Sequence, residues 1–272
     1  MLLSSEEKRN EKTVNQLVRL WNTVFGDGED YIRLITPYLD IIDCYALKED
    51  EIIVSAFYLL PAEIKKGERI YKGSYLYAAA TYEENRSKGY MSRLIKEALK
   101  DKENELDFIS LVPADDGLYS YYSRFGFEPI MYNYRTELIC RGNEKAEPDK
   151  IIDGKAVNSL RKSKFDFVHI YTDEIMNYVL SCYGYFDSYF TAVNSTAVLY
   201  DEDEKTVYEG IFGENEKTYF INLLKETYSG EITVVTPYRL DDTTEKIKCG
   251  MILDFSCELR NQKEIYMNHT LI

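Results

Sequence analysis

The sequence predicts a mixed α/β fold, because apolar strand-like runs alternate with amphipathic helices along the chain. The clearest case is residues 74–100, where an apolar run leads through a basic, glycine-containing loop into a segment with helical spacing. The second half repeats this order of strands and helices more loosely. With 272 residues, 45% of them hydrophobic, the chain can bury one or two cores.

The first half is expected to start with helices and to continue with strands. Apolar residues from Val14 to Phe25 fall on one stripe of a helix, which glycines at 26 and 28 end. A charged turn then separates two strand-like runs, and Asp115 can cap the helix that follows it. The predicted elements are helices over 6–25, 31–38 and 91–99, a Tyr-rich helix that starts after Gly117, and strands over 41–47, 51–60, 75–81, 108–112 and 132–140.

The loop Arg86-Ser87-Lys88-Gly89-Tyr90-Met91 joins the apolar strand to the helix. This geometry directs the unpaired N–H groups at the start of a helix towards whatever occupies the loop. Together with the positive end of the helix dipole and two basic side chains, it suits an anion such as a pyrophosphate. Gly89 would let the ligand approach the backbone closely. An ordinary connection with solvated charges remains the alternative from this stretch alone.

A second stretch, Tyr122-Ser123-Arg124-Phe125-Gly126-Phe127, follows about thirty residues later. The two stretches together resemble the GCN5-related N-acetyltransferases, the GNAT family. In that family a loop of the form Arg/Gln-x-x-Gly-x-Gly/Ala binds acetyl-coenzyme A, and a later helix ends in Tyr-x-x-x-Gly-Phe. Met91 departs from the pattern, since the family usually has Gly or Ala there. A bulky residue at this place is similar to the enhanced-intracellular-survival-type branch.

The resemblance implies an acetyl-CoA-dependent transfer of an acetyl group directly to a primary amine of a small molecule or peptide. It implies that the loop amides hold the pyrophosphate, that open backbone groups of Ala79 and Thr81 pair with the pantetheine arm, and that Tyr122 is the general acid. The coenzyme-binding residues implied are Ala79, Thr81, Arg86, Ser87, Lys88, Gly89, Tyr90 and Met91. No metal is expected.

The second half resembles a degenerate second copy of the same fold, so we expect tandem GNAT-like domains, each a twisted mixed sheet flanked by helices. An unrelated α/β domain is the alternative. The polar segment 141–150 is predicted to link a GNAT domain at 1–140 to the degenerate copy at 151–272. The corresponding loop there contains Glu214 and Glu216, whose charges would repel a phosphate, so no coenzyme binding is expected in that half. The predicted elements there are helices near 156–165, 172–183 and 219–224 and strands at 185–193, 195–201, 206–212, 231–236 and 248–255.

Charge and composition argue against several other classes. The net charge of −14 would repel nucleic-acid phosphates, so we do not expect binding to DNA or RNA. No apolar run reaches the length of a membrane span. The sequence also shows no basic region followed by an apolar stretch, the pattern of a secretory signal. The five cysteines are an odd number without a Cys-x-x-Cys pair, so we expect reduced core residues in a cytoplasmic protein.

The general base and the acceptor are not fixed by the sequence. Glu84, Asp115 and Asp116 lie near the motifs, but each is also expected to be a cap or a solvated charge. The apolar tail 265–272 could place a C-terminal carboxylate near the site, as in the enhanced-intracellular-survival type. A non-catalytic acyl-CoA-binding protein is the main alternative, and a purely structural protein is the other. The oligomeric state is not predicted.

Overall fold

Helices and strands alternate along the chain in the computed structural model, which describes residues 1–142, 149–151, 153–193, 196–260 and 265–267. The helices are α1 (Ser5–Arg9), α2 (Glu11–Phe25), α3 (Glu29–Ile32), α4 (Tyr90–Lys102), α5 (Asp116–Ser123), α6 (Gly154–Lys164), α7 (Asp173–Tyr185) and α8 (Lys217–Thr227). The strands are β1 (Asp43–Glu49), β2 (Ile52–Lys66), β3 (Arg69–Thr81), β4 (Phe108–Leu111), β5 (Glu128–Arg141), β6 (Asp149–Ile151), β7 (Phe167–Tyr171), β8 (Tyr189–Val193), β9 (Thr196–Asp201), β10 (Thr206–Ile211), β11 (Ser229–Thr236), β12 (Glu245–Asp254) and β13 (Tyr266–Met267). The predicted mixed α/β class is therefore confirmed.

The chain divides into two compact units. The first comprises residues 1–63, 71–128 and the described part of 251–261, and the second comprises 64–70 and the described parts of 129–250 and 262–272. The prediction placed residues 129–140 in the first domain and 251–261 in the second. In the structure, 129–140 belong to the second unit and the described part of 251–261 belongs to the first. The domain boundaries at 140 and 151 stay a prediction.

The first helix is the main difference between the predicted and observed elements of the first unit. A single helix over 6–25 was predicted, and that prediction is wrong, because the segment breaks at Asn10. The backbone of Asn10 is extended (φ −76°, ψ 120°), and its side-chain oxygen accepts from the Thr13 amide at 3.2 Å, which caps α2. The predicted short helix at 31–38 is confirmed as α3 followed by a 3₁₀ turn, Arg33–Tyr38.

The sheet of the first unit places β3 beside β4 in parallel, from Gly73↔Phe108 to Tyr75↔Ser110. Strand β1 runs antiparallel to β2, and the end of β12 runs antiparallel to β4. Because β3 and β4 are parallel, the chain must cross over between them, and α4 makes that crossover. The core beneath α4 and α5 consists of buried apolar side chains, among them Phe57, Leu94, Ile109, Tyr122 and Phe127.

The second unit repeats the strand–loop–helix–strand order and has its own hydrophobic core. Strand β10 is parallel to β11, with Thr206 opposite Thr233, and α8 makes the crossover between them. Strands β6, β8, β9 and β10 pair antiparallel in that order, and β11 pairs antiparallel with β5. The stacked rings of Phe212 and Phe220, 4.1 Å between centroids, lie in the core under α8.

Five unpaired cysteines were expected in the core, and the structure supports that for three of them. All five are free thiols; Cys44, Cys140 and Cys182 are buried, and Cys249 is partly buried. Cys257 is exposed, so its prediction as a core residue is wrong.

Candidate functional site

The loop between β3 and α4 adopts the conformation of an anion-binding site. Ser87 (φ 62°) and Gly89 (φ 81°) both have left-handed backbones, and Gly89 is the residue before the first turn of α4. A Cβ added to Gly89 would meet no atom within 4 Å. Glycine is therefore suited to this position by its backbone conformation, and the chain itself does not crowd it.

Consecutive backbone amides of this loop have no acceptor among the residues that the structure describes. They are the amides of Ser87, Lys88, Gly89, Tyr90, Met91 and Ser92. The neighbouring amides are satisfied, Arg86 by the Glu83 carbonyl at 3.1 Å and Arg93 by the Gly89 carbonyl at 2.9 Å. Successive N–H groups in a nest at the start of a helix can bind the oxygens of a phosphate.

Glu49 connects the two sides of this loop, a contact that no local sequence pattern predicts. Its carboxylate accepts a hydrogen bond from the side-chain nitrogen Nδ2 of Asn85 at 2.9 Å and another from the Tyr90 hydroxyl. The hydrogen bond with Glu49 raises the pKa of Tyr90. Because Asn85 precedes the loop and Tyr90 begins α4, Glu49 fixes the loop from the end of β1.

The basic side chains of the loop lie close to its own backbone and ring. Arg86 Nε donates to the Thr81 carbonyl at 3.3 Å, and Lys88 Nζ lies 5.8 Å from the centre of the Tyr90 ring. Both side chains are exposed, so both can reorient towards an anion in the loop.

Strand β3 extends past its parallel partner just before the loop. Its register with β4 ends at Tyr75, and Ala78 has a left-handed backbone (φ 49°) that interrupts the regular strand. Ala79 and Thr81 lie in this extension. The Thr81 hydroxyl is 2.8 Å from the Ser55 hydroxyl, and its carbonyl accepts from Arg86. The predicted pairing of Ala79 and Thr81 with a pantetheine arm stays a prediction.

Tyr122 lies near the end of α5, whose first turn is capped as predicted. The Asp115 carboxylate accepts from the Leu118 amide at 3.0 Å. The Tyr122 ring is 6% exposed and packs edge-on against Phe127 at 6.0 Å. Burial, with a smaller contribution from Tyr121, raises the pKa of Tyr122 to about 12. No described residue forms a hydrogen bond with its hydroxyl.

Tyr121 joins the helix of Tyr122 to the helix that follows the loop, and sequence reasoning missed it. The Tyr121 and Ser92 hydroxyl oxygens are 3.1 Å apart, and Ser92 belongs to the first turn of α4. The Arg124 guanidinium lies 4.7 Å from the centre of the Tyr121 ring. The loop and Tyr122, which are separate in the sequence, are thus held on two helices in direct contact.

The candidate bases remain without structural support. Asp115 is a helix cap, while Asp116 and Glu84 are exposed. The predicted tail carboxylate lies outside the described residues, which end at Met267. In the described part of the chain, no group of three or more His, Cys, Asp or Glu side chains could hold a metal ion. No described helix is long and apolar enough to cross a membrane.

The corresponding loop of the second unit already contains an anion from the protein itself. The Glu216 carboxylate accepts from the Gly213 amide at 2.7 Å and from Lys164 Nζ at 2.7 and 2.8 Å. A phosphate there would compete with this carboxylate. The predicted lack of coenzyme binding in the second half stays a prediction, and Glu216 supplies its physical reason.

Known proteins share both this loop-bearing domain and the fold. Residues 7–130 match the family model described as Acetyltransferase (GNAT) domain. A probable N-acyltransferase of Enterococcus faecalis V583 has a similar structure (TM-score 0.70, 16% identity, covering 97% of this chain and 74% of that one). So does a GCN5-related N-acetyltransferase from Kribbella flavida (TM-score 0.66, 12% identity, 94% and 72%). Eis1 from Mycobacterium abscessus is also similar (TM-score 0.63, 11% identity, 92% and 73%). No curated protein matches the sequence.

Proposed function

We propose that this chain, whose residues 7–130 match the GNAT acetyltransferase domain, transfers an acetyl group from acetyl-CoA directly to a primary amine of a small molecule or peptide. The observation that carries the proposal is the loop with unsatisfied amides in contact, through Ser92 and Tyr121, with the helix of Tyr122. The family match supports acetyl transfer in general. The amine acceptor and the residue roles are our proposal.

The loop is proposed to hold the coenzyme through its diphosphate. Backbone N–H groups from Ser87 to Ser92 would donate to the phosphate oxygens, and Arg86 and Lys88 would add positive charge. Since these donors belong to the main chain, the side chains of Tyr90 and Met91 can differ from those usual in the family. The extension of β3 at Ala79 and Thr81 would lie along the pantetheine arm.

Tyr122 is proposed to stabilise the leaving sulfur. When bound, the coenzyme thioester supplies an acetyl group that is activated for attack by an amine. The Tyr122 hydroxyl, with a pKa of about 12, stays protonated at neutral pH. A thiol has a pKa of about 8.5, so Tyr122 would act mainly by donating a hydrogen bond to negative charge on sulfur, without complete loss of its proton. The acceptor amine must be neutral to react, and its proton would pass to a base or to water.

A non-catalytic acyl-CoA-binding protein is the second candidate. Met91 in place of Gly or Ala, and the absence of a supported base among the described residues, favour it. A chain in which neither half binds coenzyme is the remaining alternative.

The three candidates differ in two measurements on the purified full chain. Acetyl-CoA binding is followed by the shift in melting temperature, and turnover by release of free thiol with a panel of primary amines, polyamines and peptides. Acetyl transfer predicts both a shift and turnover. A melting shift without turnover would support a non-catalytic acyl-CoA-binding protein. No melting shift at millimolar coenzyme would exclude both acetyl transfer and acyl-CoA binding.

Gly89→Val is expected to weaken acetyl-CoA binding by about tenfold or more, because a β-branched residue at this φ costs about 1–3 kcal/mol and re-aims the adjacent amides. Gly26→Val is the matched control. Gly26 has nearly the same backbone conformation (φ 79°), and a Cβ added to it would also meet no atom within 4 Å, but Gly26 lies at the end of α2, outside the loop. The control should lose similar stability and keep its coenzyme affinity. Equal dissociation constants for Gly89→Val and the parent would remove the loop from the site.

A further inference from the structure

A cavity of about 660 Å³ lies within the second unit, where α6 passes into β7 and where the loop after β10 begins α8. Its lining includes the aromatic residues Phe165, Tyr238 and Tyr266 and the acidic residues Asp166 and Glu214. The volume is in the range of sites for small organic ligands. Nothing in the proposed acetyl transfer uses this cavity.

The aromatic rings form a fixed wall. Phe165 packs edge-on against Tyr266 with centroids 4.8 Å apart, and it lies 6.2 Å from Tyr238, which in turn contacts Phe212 at 5.7 Å. Tyr266 is held by its hydroxyl, which donates to the buried Glu209 carboxylate at 3.2 Å. The wall therefore presents apolar ring surface without needing to rearrange.

The charges that line the cavity sum to an excess of negative charge. Lys164 is neutralised by Glu216, which leaves Asp166 and Glu214. Asp166 forms an ion pair at 3.9 Å with Lys65, which lies outside the lining, whereas no described group pairs with Glu214 within 4 Å. Burial raises the pKa of Tyr238, and the charges of Glu214 and Asp166 raise it further, so both carboxylates act on that hydroxyl.

Lysines already lie against two other rings of the lining. Lys246 Nζ is 4.0 Å from the centre of the Tyr132 ring, and Lys66 Nζ is 6.0 Å from that of Phe167. Neither lysine lines the cavity. Electron-rich ring faces attract cations, and these contacts show that rings of this lining can be approached by ammonium groups.

We propose that this cavity binds an organic cation, with its ammonium group near Glu214 and Asp166 and its apolar part against Phe165 and Tyr238. Such a ligand combines charge attraction at the rim with contact to aromatic faces inside. The site is separate from the proposed coenzyme loop and does not depend on acetyl transfer. An aryl or alkyl ammonium compound matches both features.

The test uses three probes of similar size on the full chain without coenzyme: benzyltrimethylammonium, benzyl alcohol and benzenesulfonate. The quaternary cation has no N–H, so it cannot be acetylated, and its binding is independent of turnover. Calorimetry at low salt should give binding of the cation at least about tenfold tighter than that of the neutral or the anionic probe. Added salt should weaken the binding of the cationic probe and leave the binding of the neutral probe unchanged.

The variant Asp166→Asn/Glu214→Gln should weaken cation binding by about tenfold while its melting temperature stays the same, because both side chains are exposed. Asp203→Asn/Glu245→Gln removes the same charge from exposed positions outside the lining and should bind the cation like the parent. The proposal is overturned if the anionic or neutral probe binds as tightly as the cation. It is equally overturned if the first double variant keeps the parent affinity, which would place the cation elsewhere.

Discussion

Tyr122→Phe is expected to lower kcat for acetyl transfer by about 10²–10³-fold, because it removes the hydrogen-bond donor that stabilises negative charge on the leaving sulfur. The dissociation constant for acetyl-CoA should stay within about twofold of the parent, since the coenzyme is proposed to be held by main-chain donors elsewhere. The variant should fold normally. The ring keeps its packing against Phe127, and the lost hydroxyl has no partner among the described residues.

Release of free thiol, followed by stopped-flow or steady-state kinetics, measures the change in kcat. Calorimetric binding of the coenzyme measures its dissociation constant separately. Tyr119→Phe is the matched control on the same helix and should turn over like the parent.

With a pKa of about 12, Tyr122 is fully protonated well below that value and loses its proton only as the pH rises through it. The rate should therefore rise with pH towards an amine pKa of about 10.4, without a falling limb from Tyr122. Turnover of Tyr122→Phe at the parental rate would show that the role assignment is wrong.

The order of elements was predictable from the sequence because each carries a local pattern. Helical spacing identified α2 and α4, and the predicted strand–loop–helix unit is found as β3, the loop and α4. The family match over residues 7–130 confirms the GNAT resemblance of the first half. The similar structures share the fold over both halves of the chain.

The features that sequence reasoning missed depend on contacts between distant residues. Glu49 reaches Tyr90 across 41 positions, and Tyr121 reaches Ser92 across 29, so no local pattern reveals either pair. Strand β7 was missed: the prediction left 166–171 unassigned between two helices, because a run of five residues is too short for periodicity to identify it as a strand. The break at Asn10 was also missed, although Asn is a common cap residue and could have signalled it.

The buried pair of Arg161 and Glu209 in the second unit is another long-range contact. Arg161 is 1% exposed and Glu209 is fully buried. The Arg161 Nε donates to a Glu209 oxygen at 3.0 Å, a second nitrogen donates to the other oxygen, and the guanidinium lies 5.4 Å from the centre of the Phe190 ring. Burial is the largest single effect and lowers the pKa of Arg161. The charge and the hydrogen bonds of Glu209, with smaller contributions from Tyr266 and Tyr183, together outweigh it, so the net shift of that pKa is upward.

Arg161→Met is expected to lower the free energy of unfolding by about 3–5 kcal/mol, because it leaves the Glu209 charge buried without its partner. Urea unfolding followed by far-UV circular dichroism measures the loss. Hydrogen exchange of the β10 and β11 amides should become faster, since Glu209 lies on β10. Arg135→Met is the matched control: Arg135 pairs with Glu137 at 3.3 Å but is about half exposed, so its loss should cost at most about 1 kcal/mol.

The double variant Arg161→Met/Glu209→Gln tests whether the cost arises from the unpaired charge. In the parent, the Tyr266 hydroxyl donates to the Glu209 carboxylate. Glutamine at this position is neutral and still offers an oxygen to that hydroxyl. Most of the stability lost in Arg161→Met should therefore return. If the double variant is as unstable as the single one, the loss comes from the packing of the arginine side chain against Phe190 and Met176, and the charge argument fails.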